Sequence, residues 1–175
     1  GGGGGTAIVS GHVEVNPRLA PVVIRGRLLN EIYTHALESH PEECCGLLTG
    51  RAAGRFDAIH RCRNEMTRLH RQDPIAHPRG GERAFHMNEF DYVRVQSDAE
   101  TVGARVTGVY HSHVEAGAYF SEDDQESALQ ELYPFPKVDH IVISVMDRAV
   151  KEVAAFRWLP EEGRFEGRTL MVESA

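Results

Sequence analysis

The sequence lacks any apolar run close to the ~20 residues that a membrane-spanning helix needs, and it lacks a charged-then-apolar leader segment. Cysteine is scarce as well: Cys44, Cys45 and Cys62 make an odd number without regular spacing. Secreted disulfide frameworks use even, regularly spaced sets of cysteines. We therefore predict a soluble cytoplasmic protein with no membrane partner and no disulfide between the two adjacent cysteines, whose side chains point to opposite faces of a strand.

An excess of basic residues is also missing, because 19 Lys and Arg stand against 26 Asp and Glu, giving a net charge of −7. Nucleic-acid-binding proteins usually carry a basic balance or a basic stripe, so no nucleic-acid partner is predicted. The 175 residues, 41% hydrophobic, suffice for one domain with one core. Residues 1–16, which open with five glycines, are predicted to be a flexible linker or tag segment, and residues 17–175 to form the domain.

Apolar spacing and turn residues predict alternating strands and helices. The predicted order is a strand at 21–26, a helix ending near Ser39, a hairpin of strands at 44–50 and 55–63, a polar loop at 64–82, a helix capped by Asn88 and ended by Gly103, a strand at 105–113, a helix at 121–133 and strands at 139–147, 150–159 and 164–172. This order is typical of a mixed α/β domain built around one sheet. A structureless loop as long as 64–82 is more often functional than accidental, although its own histidines, His70 and His77, are predicted to be exposed.

The segment "GVYHSHVEAGAYFSEDD" carries the main chemical signal. Side chains alternate along a strand, so His111 and His113 point the same way while Ser112 points elsewhere. Asp124, one turn into the following helix, is able to turn its carboxylate back toward the strand end. Two imidazoles and one carboxylate, with water in the fourth position, are typical of an open catalytic zinc site.

A structural interpretation of the same segment remains open. Ser121 followed by Asp124 resembles a capping box, and acidic residues in a first helical turn are favoured by the helix dipole. A histidine pair at a strand end can also be solvated without a metal. The two halves together, with a candidate base elsewhere in the chain, favour metal binding.

Other metal and nucleophile chemistries lack their required residues. The "HVE" at His113–Glu115 resembles the His-x-Glu of zinc deaminases, but the sequence has no Cys-x-x-Cys to complete that site. It has no His-Glu-x-x-His of the zincin type either. A thiol nucleophile at Cys45 is not favoured, because "PEECCG" supplies no positive charge to stabilise a thiolate.

The pattern from His111 to Asp124 resembles the JAMM motif of the MPN-domain metallopeptidases: His-x-His, then seven residues, Ser, two residues and Asp. That family places a glutamate upstream in a segment similar to Pro-x-Glu-x-Cys-Gly-Leu-Leu, and this chain has "PEECCGLLTG" from Pro41 onward. Many relatives carry proline where this chain has Val114 and Phe120. These two departures concern the loop between the motif's halves, so the shape of that loop is not carried over from the family.

The resemblance implies a compact, bacterial-type single MPN domain: a mixed sheet flanked by helices, similar in architecture to cytidine deaminases. It implies zinc held by His111, His113 and Asp124, with Glu43 activating water and Ser121 stabilising the oxyanion. Glu42 is the competing glutamate. On a strand it would face away from Glu43, and only Glu43 matches the motif.

The implied activity is that of a zinc-dependent peptidase or isopeptidase. Family members act near the C-terminal tails of ubiquitin-like proteins, and compact bacterial-type ones resemble enzymes that cleave after the Gly-Gly of sulfur-carrier proteins. A ubiquitin-like, β-grasp or sulfur-carrier protein is therefore the expected partner. The alternative is a non-catalytic MPN-type module that binds or scaffolds such tails. Members of that sort usually lack part of the ligand set, which this chain keeps.

Overall fold

A mixed six-stranded sheet forms the centre of the computed structural model, which describes residues 11–130 and 138–174. In chain order the elements are β1 (Val22–Arg25), α1 (Gly26–Ser39), β2 (Cys45–Gly50), β3 (Ala58–Cys62), α2 (Met66–Gln72), α3 (Glu89–Thr101), β4 (Arg105–Val114), α4 (Glu122–Ala128), β5 (Asp139–Met146), β6 (Ala149–Leu159), β7 (Arg164–Arg168) and β8 (Leu170–Glu173). The spatial order of the sheet is β3-β2-β4-β5-β6-β7, with only β4 and β5 parallel. The predicted mixed α/β class is confirmed. Across the described ranges, no helix is long and apolar enough to span a bilayer.

Helices cover both faces of this sheet. On one face α1 buries Leu28, Leu29 and Ile32, whose three-to-four-residue spacing gives the helix a single apolar stripe. On the other face α3 buries Tyr92 and Val95 against β2 and β4. The predicted cap of α3 is present, because the Asn88 side chain accepts a hydrogen bond from the first helical turn over 3.0 Å. The sheet therefore separates two apolar cores.

Strand β4 runs through the middle of the sheet and sends alternate side chains into the two cores. Tyr110 faces the α1 side, where its hydroxyl lies 2.7 Å from His35 Nδ1. The same ring crosses Gly46 on the neighbouring strand, where an added Cβ would lie 2.3 Å from ring atoms. A side chain at residue 46 would therefore displace Tyr110, which accounts for glycine there. His111 and His113 face the opposite side.

The predicted loop at 64–82 is wrong in part, because it contains α2. Helix α2 spans seven residues and buries none of them fully. Its sequence therefore lacks the apolar periodicity by which a helix is predicted. His70 lies on it, half-buried, with Nδ1 donating to the carbonyl of His77 over 2.6 Å. His77 is half-buried too, so the prediction that both are exposed is also wrong. The segment is a folded insertion rather than a free loop.

The C-terminal strands also differ from the prediction. The single strand at 164–172 is two strands, because the chain leaves the main sheet at Thr169 and β8 pairs in parallel with β1. Among the described residues there are thus two sheets instead of one. Helix α4 ends at Ala128, and the remainder of the helix predicted to run to residue 133 lies partly outside the described residues.

The chain before β1 contacts the domain from residue 11 onward. Val13 forms an antiparallel bridge with Phe120, with N–O distances of 2.9 and 3.0 Å, and Val15 bridges Gly167. The glycine run lies in residues 1–10, outside the described residues. A flexible segment ending at residue 16 therefore stays a prediction, and the pairing of Val13 is the structural fact that bears on where it ends.

Candidate metal centre and its cleft

Two histidines and one aspartate converge where β4 ends and α4 begins. The Nε2 atoms of His111 and His113 lie 3.2 Å apart. Asp124 places Oδ1 3.2 Å from His111 Nε2 and Oδ2 3.0 Å from His113 Nε2. All three potential ligand atoms lie within 4.8 Å of one another, so this group could hold a metal ion. Strand alternation brings the histidines together, and the short connection to α4 brings the carboxylate.

The tautomer of His113 suits a ligand role. Its Nδ1 lies 2.9 Å from the carbonyl of Gly117, which is only able to accept a hydrogen bond. Nδ1 must therefore carry the proton, and in the neutral ring Nε2 keeps its lone pair facing His111 and Asp124. Burial lowers the pKa of His113, but the hydrogen bond and charge of Asp124 outweigh it and raise the pKa above its ordinary value.

The loop that supplies the Gly117 carbonyl is fixed from the neighbouring strands. Ser144 Oγ donates to the carbonyl of Ala116 over 2.5 Å, and Glu152 Oε2 accepts from the amide of Ala118 over 3.3 Å. Phe120, one of the departures from the family pattern, is buried and stacks on Phe156 with ring centroids 5.0 Å apart. An aromatic anchor in the core thus holds this end of the loop.

His111 is held mainly by packing. Its ring is 1% exposed and stacks on Phe85 with centroids 4.5 Å apart. Its Nδ1 is buried without a hydrogen-bond partner among the described residues, which leaves Nε2 as the atom in polar contact. A buried nitrogen left in this way is unfavourable, so packing against Phe85, and not a hydrogen bond at Nδ1, orients the ring.

Asp124 is placed for both roles that the sequence left open, helix cap and candidate metal ligand. Its Oδ2 accepts from the backbone amide of Ser121 over 3.1 Å, and Ser121 Oγ accepts from the amide of Asp124 over 3.0 Å, so the capping box is complete. The same carboxylate faces both histidines. Burial raises the pKa of Asp124, but His111 and His113 outweigh it and hold the pKa well below its ordinary value. One side chain is thus both the helix cap and a member of the group that could hold a metal ion.

Glu43 lies beside this group, just before β2, and is 6% exposed. Burial raises its pKa to about 8, partly opposed by His113. Its backbone amide donates to the carbonyl of Gly81 over 2.7 Å. The neighbouring Glu42 turns the other way and accepts a hydrogen bond from Thr67 Oγ1. The structure therefore brings Glu43, and not Glu42, to the candidate metal group formed by His111, His113 and Asp124, called the metal group below.

Asn64 fastens the insertion to Glu43 and was not singled out by sequence reasoning. Its amide nitrogen donates to the carbonyls of Glu43 over 3.0 Å and Ala84 over 3.1 Å. Its amide oxygen accepts from the backbone of Met66 over 2.9 Å and His86 over 3.0 Å. All four hydrogen-bonding positions of this side chain are used, which ties three backbone segments together.

Replacing Asn64 by alanine is expected to lower the free energy of unfolding by about 2 kcal/mol, because several backbone groups lose their partners in a partly buried setting. Chemical denaturation of the metal-free protein measures this change. Asn30→Ala, on the exposed face of α1, is the matched control and should stay within about 0.5 kcal/mol of wild type. Equal effects of the two substitutions would contradict a stabilising role for the hydrogen bonds of the Asn64 side chain.

The buried carboxyl of Glu43 predicts a pH-dependent stability. Its pKa of about 8 lies above the 4.5 of an exposed glutamate, so folding takes up a proton between these pH values and stability falls as the pH rises. Metal-free Glu43→Gln protein should therefore be more stable than metal-free wild type at pH 7, on the order of 3 kcal/mol, and nearly equal at pH 5. Denaturation with chelator at both pH values tests this. Equal stability of the two proteins at pH 7 would contradict a raised pKa at Glu43.

A cleft of about 220 Å³ opens above the metal group. Its walls come from the end of β4, the first turn of α4 and the insertion; they include Glu43, Arg79, Arg83, His113, Ser121 and Asp124. All the sequence-predicted site residues except the deeply buried His111 thus line one cleft. The two arginines were not predicted, because nothing in "RGGER" indicates where the folded insertion places them.

The cysteines take no part in this polar arrangement. All three are free and buried. Burial raises the pKa of the Cys45 thiol well above its ordinary value. The thiol stays protonated at neutral pH, as expected for a structural residue.

Comparison with known proteins places this arrangement in a family. Residues 26–159 match the family model described as prokaryotic homologs of the JAB domain. Proteins named CysO-cysteine peptidase from Mycobacterium tuberculosis and Mycobacterium bovis are 24% identical over 136 residues, covering 78% of this chain and 82% of theirs.

Two solved structures share the fold. A Salinibacter ruber protein superposes with a TM-score of 0.59 at 26% identity, covering 86% of this chain and 90% of its own. A Desulfitobacterium hafniense protein superposes with a TM-score of 0.63 at 18% identity, covering 87% and 93%. The match to the family model extends from α1 to the end of β6 and contains both halves of the site. The chain therefore belongs to the prokaryotic JAB-domain family, as the resemblance to MPN-domain proteins predicted.

Proposed function

We propose that this protein is a zinc-dependent peptidase or isopeptidase that hydrolyses the amide bond at or after the C-terminal Gly-Gly of a ubiquitin-like or sulfur-carrier protein. The observation that carries the proposal is the convergence of His111, His113 and Asp124 beside the buried Glu43 at one cleft. A metal-ligand set with an adjacent base is what hydrolysis of an unactivated amide requires.

The donor set fits zinc. Two imidazole nitrogens and one carboxylate oxygen are the ligands of an open zinc site, and the lone pair of His113 Nε2 is already directed toward the other two groups. We assign these three residues as the ligands. When bound, zinc polarises a carbonyl and makes water acidic enough to act as a nucleophile near neutral pH.

Glu43 is assigned as the general base and acid. Water adds to the carbonyl carbon, the carbon–nitrogen bond breaks, and the proton removed from water must reach the leaving nitrogen. A carboxyl whose pKa is raised toward neutrality is suited to both transfers. The backbone contacts of Glu43 to Gly81 and Asn64 hold it on one side of the cleft.

Ser121 is assigned to the oxyanion. Its Oγ already accepts a hydrogen bond from the amide of Asp124, so its own proton is left to donate into the cleft. A donor fixed in this way stabilises the negative charge that develops on the carbonyl oxygen during hydrolysis. The capping box therefore also orients Ser121.

The substrate class draws on the relatives. The mycobacterial relatives are named CysO-cysteine peptidase, which describes a peptidase that acts between CysO and cysteine. This supports, for the present chain, a carrier-protein tail extended beyond its terminal glycines. Glycines near the scissile bond suit a confined cleft, because a backbone without side chains needs the least room.

The test is hydrolysis of a sulfur-carrier protein that ends in Gly-Gly and is extended by one cysteine. Mass spectrometry should show loss of the added residue in the presence of the zinc-loaded protein. Chelation should abolish the reaction, and added zinc should restore it. Binding of the extended carrier by zinc-loaded protein without hydrolysis would instead favour a non-catalytic binding module.

A further inference from the structure

Two arginines, Arg79 and Arg83, lie in the wall of the cleft and differ in their partners. Arg79 Nη1 lies 3.0 Å from Asp123 Oδ2 and also donates to the backbone carbonyl of Arg83 over 3.3 Å. Its charge is thus offset, and it fixes the main chain at residue 83. The Arg83 guanidinium has no carboxylate partner among the described residues. A cation is therefore left available in the cleft.

The segment that carries these arginines is attached to the proposed base. The carbonyl of Gly81 accepts from the amide of Glu43 over 2.7 Å, and the carbonyl of Ala84 accepts from Asn64 Nδ2 over 3.1 Å. The amide of Arg83 itself donates to the carbonyl of Gly80 over 3.1 Å. Arg83 thus sits on a hydrogen-bonded turn on the Glu43 side of the cleft.

That side is where the leaving residue must lie. Hydrolysis joins the water oxygen to the carbonyl carbon and breaks the bond to nitrogen, and Glu43 then passes a proton to that nitrogen. If the leaving group is an α-amino acid, its carboxylate stands two covalent bonds from the same nitrogen. The carboxylate then falls beside the segment that carries Arg83. A lysine ε-amine, the leaving group of an isopeptide bond, has no carboxylate at that distance.

An anionic group that enters this cleft meets acidic side chains in its wall. Besides Glu43, the cleft wall carries the carboxylates of Glu82, Asp123 and Asp124, of which Asp123 is paired with Arg79. They disfavour an anionic product group unless a specific donor compensates. A guanidinium offers two parallel donors that match the two oxygens of a carboxylate.

From these observations we propose that Arg83 binds the free α-carboxylate of the residue on the leaving side of the scissile bond. The protein then acts as a carboxypeptidase on carrier tails extended by one residue, in preference to isopeptide conjugates. This inference rests on the proposed function and narrows its substrate class.

The probes are two semisynthetic sulfur-carrier proteins ending in Gly-Gly-Cys, one with a free carboxylate and one with a carboxamide. Wild type should cleave the carboxylate form with a kcat/KM higher by roughly 10- to 100-fold, as expected for hydrogen bonds to a charged group. Arg83→Gln should remove this preference, through a loss of kcat/KM on the carboxylate form that is larger than any loss on the carboxamide form. Arg71→Gln, an exposed arginine of the same insertion outside the cleft wall, should keep the preference.

A binding measurement tests the role of Arg83 separately from the proposed hydrolytic function. In calorimetry, zinc-loaded Glu43→Gln protein should bind the carboxylate probe more tightly than the carboxamide probe. The same protein carrying Arg83→Gln as well should bind the two probes equally. Equal cleavage of both probes by wild type would overturn the role of Arg83 while leaving the hydrolytic function intact. If the protein neither cleaved nor bound either probe, the proposed function would be overturned, and the carboxylate site with it.

Discussion

Replacing His113 by alanine is expected to reduce zinc content from about one ion per chain to nearly none, and to abolish hydrolysis with it. His113 supplies the nitrogen closest to both other ligand atoms, 3.2 Å from His111 Nε2 and 3.0 Å from Asp124 Oδ2. Without it, only one imidazole and one carboxylate remain, which is too few for an open zinc site. Mass spectrometry of the metal in purified protein, loaded with zinc and then dialysed, measures this loss.

His86→Ala is the matched control, since His86 is exposed and lies outside the metal group. It should retain zinc at the wild-type level. Zinc bound equally by wild type and His113→Ala would show that the ion sits elsewhere. Zinc absent from both after loading would leave the converging side chains as a hydrogen-bonded strand end and helix cap.

Glu43→Gln is expected to keep the zinc and to lose roughly 10²- to 10⁴-fold in kcat, the range typical of removing a general base. Glutamine has nearly the same shape and is able to keep the backbone contacts to Gly81 and Asn64, but it does not take up a proton. Turnover of the extended carrier and metal content should be measured on the same preparation, so that loss of activity is not mistaken for loss of metal.

Glu42→Gln provides the control for this experiment. Its carboxylate faces Thr67, and the glutamine amide oxygen is able to accept the same hydrogen bond, so activity should stay within a few-fold of wild type. A Glu43→Gln protein that turned over substrate at the wild-type rate would exclude Glu43 as the base. The assignment would then have to move to another group in the cleft.

The part of the site that sequence predicts is the part set by local geometry. Strand alternation alone places His111 and His113 on one face, and the spacing from Ser121 to Asp124 follows from a helical turn. The position of Glu43 follows from the family resemblance, and the structure turns it into the cleft. These residues need few long-range contacts to be recognised.

What could not be predicted depends on contacts between distant segments. Asn64 acts through backbone partners between residues 43 and 86, and no local pattern reports such a set. Helix α2 is short and without a fully buried face, so its sequence resembles a polar loop. The separation of β8 from β7 depends on its pairing with β1, about 150 residues earlier in the chain. Local propensity does not encode a partner so far away.

The place of Asp124 in both the capping box and the candidate metal group has a consequence for the proposed zinc site. Its carboxylate is held by the first turn of α4 through the Ser121 amide, and the His113 ring is held by Gly117, both independently of any metal. The entropy of ordering these ligands is therefore lost when the chain folds rather than when the ion arrives. Zinc binding at the proposed site would then need no folding step such as small zinc-finger domains undergo.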